Sequence, residues 1–172
     1  RVTGGFGGYS IPENDQHSTW IDGYLRVRIG KKYIFEYQTY FENETNDRGF
    51  VNLDPGTGKI YFSRRNVKTI QNVIGNTYTL NNKAGLTLRI RHYWSGVTNQ
   101  DYYQLQTDGS LNEDSLYPFD HDNNYNAFNI DLIFRWIFAP GSEMSLAWKN
   151  SILDSGNKVV NSYFDNLGDT WK

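Results

Sequence analysis

The sequence predicts an all-β fold, an antiparallel up-and-down transmembrane β-barrel of about seven long strands. Three observations carry that expectation. Across residues 127–138, Phe128, Ile130, Leu132, Phe134, Trp136 and Phe138 take every even place, with Asn129, Asp131 and Arg135 between them. Successive strand side chains point to opposite faces, so one face of this stretch is apolar and the other carries charge. Its length matches the roughly 9–11 tilted residues that cross a bilayer. The stripe recurs in four further segments, and the connections alternate between long and short. Short periplasmic turns and long extracellular loops are the asymmetry of an outer-membrane barrel.

Each element follows from the same alternation. Residues 1–10 are Gly-rich, with Phe6 and Tyr9, and read as a weak strand. Ile21, Leu25, Val27 and Ile29 form the next stripe, opposed by Asp22, Tyr24, Arg26 and Arg28. Tyr33, Phe35, Tyr37, Thr39 and Phe41 follow, opposed by Glu36, Gln38 and Glu42. Residues 66–80 set Ile70, Ile74, Tyr78 and Leu80 on one side, but Asn72 and Asn76 interrupt them. Leu86, Leu88, Ile90 and Trp94 oppose Thr87, Arg89, Arg91 and Ser95, with His92 the one blemish. After the 127–138 stripe, Met144, Leu146, Trp148 and Ile152 oppose Ser145, Ala147 and Lys149. No segment reads as a convincing helix. Gly30-Lys31 and residues 81–84 and 139–142 are tight turns, while residues 11–19, 43–59 and 96–124 read as long polar loops.

Composition narrows the function. A chain of 172 residues supports one sizeable domain, and a formal charge of −2 offers no basic footprint for nucleic acid. With no Cys there is neither a disulfide nor a thiolate metal site. No apolar run reaches the length of a transmembrane helix. Aromatic residues make up 16%, with 13 Tyr and 5 Trp, which suits a membrane interface and equally a sugar-binding β-sandwich. The chain begins without Met or a signal peptide, as a mature protein or a piece of one does. A closed bacterial barrel has an even strand number, so residues 1–172 read as a single segment of a larger barrel, with further strands expected beyond both ends.

Candidate residues sort by face and height. Leu25, Val27, Phe35, Leu86, Leu88, Ile90, Phe128, Ile130, Leu132, Phe134 and Leu146 are expected to face lipid. Tyr33, Trp94, Trp136, Phe138 and Trp148 are expected in aromatic girdles at the rims. Arg26, Arg28, Glu36, Arg89, Arg91, Asp131, Arg135 and Lys149 are expected in the lumen, lining a pore or pairing across strands, and their mixed signs favour pairing. Tyr102, Tyr103, Tyr117 and Phe119, set among Asp and Asn, are candidate ligand contacts, since stacking rings beside hydrogen-bonding groups suit sugars. The bland alternative for that loop is a polar lid.

Residues 120–124 and 165–169 hold oxygen donors that suit Ca²⁺, without the spacing of an EF-hand, and read as solvated loops. Residues 53–59 lack the Gly-Lys-Ser/Thr ending of a phosphate loop and read as a turn. His17, His92 and His121 stand in no triad or metal motif, so neither an enzyme, a metal nor a cofactor is expected.

A family resemblance rests on particular residues. They are Arg64-Arg65-Asn66-Val67, the run Leu86-Thr87-Leu88-Arg89-Ile90-Arg91-His92-Tyr93-Trp94-Ser95, and Asn126-Ala127-Phe128-Asn129-Ile130-Asp131. Phe138-Ala139-Pro140-Gly141-Ser142-Glu143-Met144-Ser145-Leu146, Trp148-Lys149-Asn150 and Ser162-Tyr163-Phe164-Asp165-Asn166-Leu167 complete them. Together these resemble the C-terminal part of an uncharacterised Gram-negative outer-membrane β-barrel family, whose members commonly carry an N-terminal domain similar to carbohydrate-binding module family 9. The resemblance covers about the last two-thirds of the chain. It implies an outer-membrane location, lipid and other surface proteins as partners, and a link to glycans at family level. It carries over no catalytic residue. The expected role is structural, transport-related or surface-binding. The alternative is a soluble secreted β-sandwich or barrel that binds carbohydrate through its aromatics.

Overall fold

The computed structural model describes residues 1–156 and residue 168, so the expected segments at 162–167 and 165–169 lie outside or almost outside it. The strands are β1 (Val2–Ile11), β2 (Gln16–Ile29), β3 (Tyr33–Leu53), β4 (Ile60–Asn81), β5 (Ala84–Leu105), β6 (Leu111–Glu113), β7 (Asn123–Ala139) and β8 (Ser142–Gly156). They form one antiparallel up-and-down sheet in the order β1-β2-β3-β4-β5-β7-β8, with the short β6 pairing the outer end of β5. Among the described residues the sheet is open, with β1 and β8 at its edges.

The seven expected strands are present, and β6 makes eight. The expected long loops are a correction. Most of residues 43–59 and the start of 96–124 continue as ladder, so β3, β4 and β5 reach 21, 22 and 22 residues. Residues 11–19 shrink to a short 3₁₀ turn, Pro12–Asn14, followed by Asp15 at φ +51°. The apolar alternation breaks off in these stretches because polar and apolar residues mix on both faces, and hydrogen bonding between strands needs no apolar stripe. The tight turns stand where expected, with Gly30 and Gly141 at φ +61° and +74°.

Register assembles the separate stripes into one surface. Leu25, Tyr37, Ile74, Ile90 and Ile130 form one cross-strand row. The neighbouring row holds Val27, Phe35, Asn76, Leu88, Leu132 and Trp148, and the next Ile29, Tyr33, Tyr78, Leu86, Phe134 and Leu146. Asn76 and Asn72, which broke the β4 pattern, accept hydrogen bonds from the hydroxyls of Tyr33 and Tyr37 on β3, the latter at 2.7 Å. Their amides are therefore bonded within an apolar surface. At the β1 edge the Trp20 indole lies over Gly7, where an added Cβ would sit 2.6 Å from the ring.

No second layer covers this face among the described residues, since every substantial contact between strands joins hydrogen-bonded neighbours. The accessible surface is 11269 Å². A compact chain of this size would expose about 8,700 Å². Tyr61, Trp94 and Phe128 are the buried large hydrophobics, whereas Leu146 and Trp148 are 67% and 53% exposed.

The Tyr33–Asn76 pair makes a testable contribution to this wall. Tyr33→Phe removes the donor that satisfies Asn76 and is expected to lower stability by about 1–2 kcal/mol. Adding Asn76→Leu should recover most of that loss, as read from denaturant unfolding of the two single variants and the double. Additive losses would show that the bond contributes nothing.

Candidate functional site

The face opposite the apolar rows carries the charge. One row reads Arg26, Glu36, Gly75, Arg89, Asp131, Lys149 across six strands. Gly75 leaves a gap of about 280 Å³ between Glu36 and Arg89, bordered by Gln38, Thr77 and Thr87. Glu36 accepts from the Tyr24 hydroxyl at 2.9 Å and lies 3.4 Å from Arg26 Nε. Arg91 pairs with Asp131 at 2.5 Å, and Arg135 with Glu143 at 2.5 Å. All eight residues expected in the lumen lie on this one face. Arg28, Arg89 and Lys149 have no ion pair among the described residues, so the free charge near the short turns is positive. Half-exposed pairs of this kind each contribute under about 1 kcal/mol, so they shape the potential more than the stability.

Towards the longer connections the same face becomes acidic. Asp47 accepts from Arg65 Nε at 2.8 Å and from Gln16 Nε2 at 3.2 Å. The Arg65 guanidinium lies over Gly49, where a Cβ would sit 2.0 Å from Cζ, so a side chain there would displace the guanidinium. Ser18 and Tyr9 donate to Glu42 and Glu44 at 2.9 and 3.1 Å. Burial, with Asp47 and Glu42 nearby, pushes the Glu44 carboxyl above its ordinary value against the opposing Tyr9 bond. Asn46 occupies the β3 bulge at φ +57°. Its N–H donates to Asn66 Oδ1 and its Nδ2 to Asp15 O, tying β4 to the β1–β2 turn.

An aromatic cluster sits where β4 and β5 outrun the apolar rows. Tyr61 and Ser63 share the charged face, and the Ser63–Tyr102 pairing puts Tyr102 beside them. The 106–122 connection folds back over this face instead of standing away from the sheet. Tyr117 lies between Tyr61 and Tyr102 at centroid distances of 4.4 and 4.6 Å, with His121 stacked at 5.6 Å. The Tyr117 hydroxyl and His121 Nε2 are 2.6 Å apart, and Asn52 Nδ2 donates to the same hydroxyl at 3.3 Å. Burial raises the Tyr61 and Tyr102 phenols, which stay protonated donors. Asp122 Oδ1 accepts from the Asn99 N–H at 2.6 Å, pinning the end of the connection. Asp120 and Asp122 thus each direct a carboxylate oxygen to the protein's own amides, and Asn124 directs its Oδ1 to the Trp94 indole.

The structure divides the expected site residues. Tyr102, Tyr117 and Phe119 come together. Tyr103 is a correction, because it pairs with Phe62 on the opposite face, under Arg48 at 5.8 Å. Trp136 and Phe138 are exposed beside the turn, 5.8 Å apart, and Tyr33 lies near that level. Trp148 sits mid-wall opposite Leu132 rather than at a rim. Trp94 is only 2% exposed, its Nε1 donating to Asn124 at 2.6 Å, and Phe128 is likewise buried beside His92. The other ten residues expected to face lipid share the face of Phe128 and are half-buried or exposed. Tyr61 and His121 are the members of the cluster that sequence reading does not select. Only register and the fold-back of the connection bring them to Tyr117.

These features define a class, an all-β protein built on a single up-and-down antiparallel sheet with one apolar and one charged face. The chain belongs to the family described as Domain of unknown function (DUF5916), whose model matches residues 3–172. No curated protein and no solved structure matches it.

Two consequences are measurable. Asp122→Ala should free the 106–122 connection and raise its rate of proteolytic cleavage several-fold relative to the parent, whereas an unchanged rate would mean the aromatic stack alone holds it. Asp54 caps the β3–β4 turn, and the Thr57 hydroxyl and Gly56 amide hold its carboxyl below the ordinary value. A depressed folded-state value means the cap's contribution is present above the unfolded carboxylate range and lost as pH falls through the folded value. Amide exchange at Gly56 and Gly58 should therefore stay slow down to the ordinary carboxylate range and quicken only below it.

Proposed function

We propose that this chain forms part of the wall of a transmembrane β-barrel in the outer membrane of a Gram-negative bacterium. Its apolar face meets lipid and its charged face lines the lumen. The observation that carries this reading is the dimension of the apolar face, which no described sheet or helix covers, although its Trp94–Phe128 corner is buried. From the Trp136–Met144 pair to the row of Ile21, Phe41 and Ile70 the rows extend about ten residue steps, ~33 Å along the strands. At a tilt of about 40° that stands ~25 Å high, the height of a barrel's lipid-facing band. Lys68 follows one row beyond Ile70, and Lys31, Lys32 and Lys83 lie at the short turns, so charge brackets the band. Both sheet edges would need strand partners in lipid, because an unpaired ladder costs several kcal/mol per group there.

The role we assign is structural, transport-related or surface-binding, in connection with glycans. Support comes from the cationic inner half of the charged face and the aromatic cluster at its outer end. A soluble carbohydrate-binding sandwich would need a second sheet over the apolar rows, and no described element supplies one.

Cell fractionation tests the reading. The protein should sediment with the outer membrane, resist alkaline carbonate, and enter solution only with detergent. Release into aqueous buffer without detergent would overturn it.

A further inference from the structure

Beyond Tyr117 the folded-back connection leaves an open cleft of about 480 Å³ facing the β3–β4 turn. That volume falls in the range of small-molecule sites. Tyr61, Tyr117 and Phe119 wall it, and Asn52, Asp54 and Asp114 edge it. The wall is set before any ligand arrives, since Tyr117 is packed at a tilt between two tyrosines and held at its hydroxyl by His121 and Asn52. Such preorganisation reduces the entropy lost on binding. Phe119 touches Tyr117 and His121 by its edge, yet remains 60% exposed.

The polar groups choose the ligand. Asp114 accepts the Leu116 N–H at 3.2 Å and faces the Tyr61 hydroxyl at 3.5 Å, and each carboxylate oxygen has capacity for a further donor. Asp54 is likewise held in place by its own turn. No Lys or Arg lines the cleft, which disfavours an anion. Flat ring surface beside fixed acceptors and an amide matches a sugar, which presents C–H groups on one side and hydroxyl donors around its edge. We infer that this cleft binds a neutral saccharide, its ring against Tyr117 and Phe119 and its hydroxyls on Asp114 and Asn52. Tyr61 and Tyr102 lie on the charged face, so the site stands at the outer mouth of the lumen; only that placement rests on the membrane reading.

The test is calorimetric titration of the natural full-length protein with cellohexaose, maltohexaose, xylohexaose and chitohexaose, and with choline chloride as a cationic probe. A polyoxyethylene detergent avoids competition from sugar headgroups. At least one oligosaccharide should bind with a Kd below about 1 mM. Phe119→Ala, at an exposed position, and Asp114→Asn should each weaken it about tenfold, a change of about 1.4 kcal/mol, while Tyr103→Ala on the opposite face leaves it unchanged. Binding of choline alone, of no saccharide, or of a saccharide indifferent to Phe119 and Asp114 overturns the inference. Aqueous extraction with intact saccharide binding would overturn the membrane reading and leave the cleft assignment standing.

Discussion

The structure depends on one constraint: a single sheet puts alternate side chains on opposite faces, and no described sheet or helix covers its apolar rows. In a soluble domain the apolar rows through Leu25, Phe35, Ile90 and Leu132 would pack against another sheet or a helix. Here the described elements touch only their ladder neighbours, and side chains as large as Leu146 and Trp148 stand largely open. At about 25 cal/mol for each Å² of apolar surface left in water, such a face is a large unmet driving force. In the proposed membrane setting, lipid would meet it without a second layer. It also explains why polar intrusions are bonded within the wall, as Asn76 is by Tyr33.

The wall was legible in the sequence because the two-residue period is local. Each stripe from Ile21 to Ile152 can be read without knowing its neighbours, and register then aligns them. The strand ends were less legible. Beyond the apolar rows polar and apolar residues mix on both faces of β3, β4 and β5, so a continuing ladder looks the same as a loop. The bulge at Asn46 and the extra Gln100 between Arg64 and Arg65 add single-residue shifts that exchange faces. The Gln100 shift thus puts Tyr102 on the charged face and its strand neighbour Tyr103 on the other. The apolar interior of the Trp94–Phe128 corner was illegible for a related reason, since periodicity reports a face and not what lies over it.

The charged face has its own polarity. Arg26, Arg28, Arg89, Arg91, Arg135 and Lys149 lie towards the short turns, while Asp22, Glu42, Glu44 and Asp47 lie towards the long connections. Fixed charges of opposite net sign at the two ends give a field along the strands, which in a barrel lumen would sort charged solutes by direction. The aromatic cleft lies beyond the acidic end, held by the β4–β5 overrun and the fold-back of residues 106–122. Capture at the mouth and discrimination along the wall would thus be done by separate sets of residues on the same face.

The central claim, that Ile130, Leu132, Phe134 and Trp136 of β7 face hydrocarbon, is tested most directly by spin labels. The chain has no Cys, so single cysteines can be placed at each residue from 129 to 137 in protein reconstituted into bilayers. Collision with molecular oxygen, which concentrates in hydrocarbon, and with a polar nickel complex then reads the environment of each position. The account predicts a two-residue oscillation, with oxygen maxima at 130, 132, 134 and 136 and nickel maxima at 129, 131, 133 and 135. Low accessibility to both reagents at the even positions would place them against protein and contradict it.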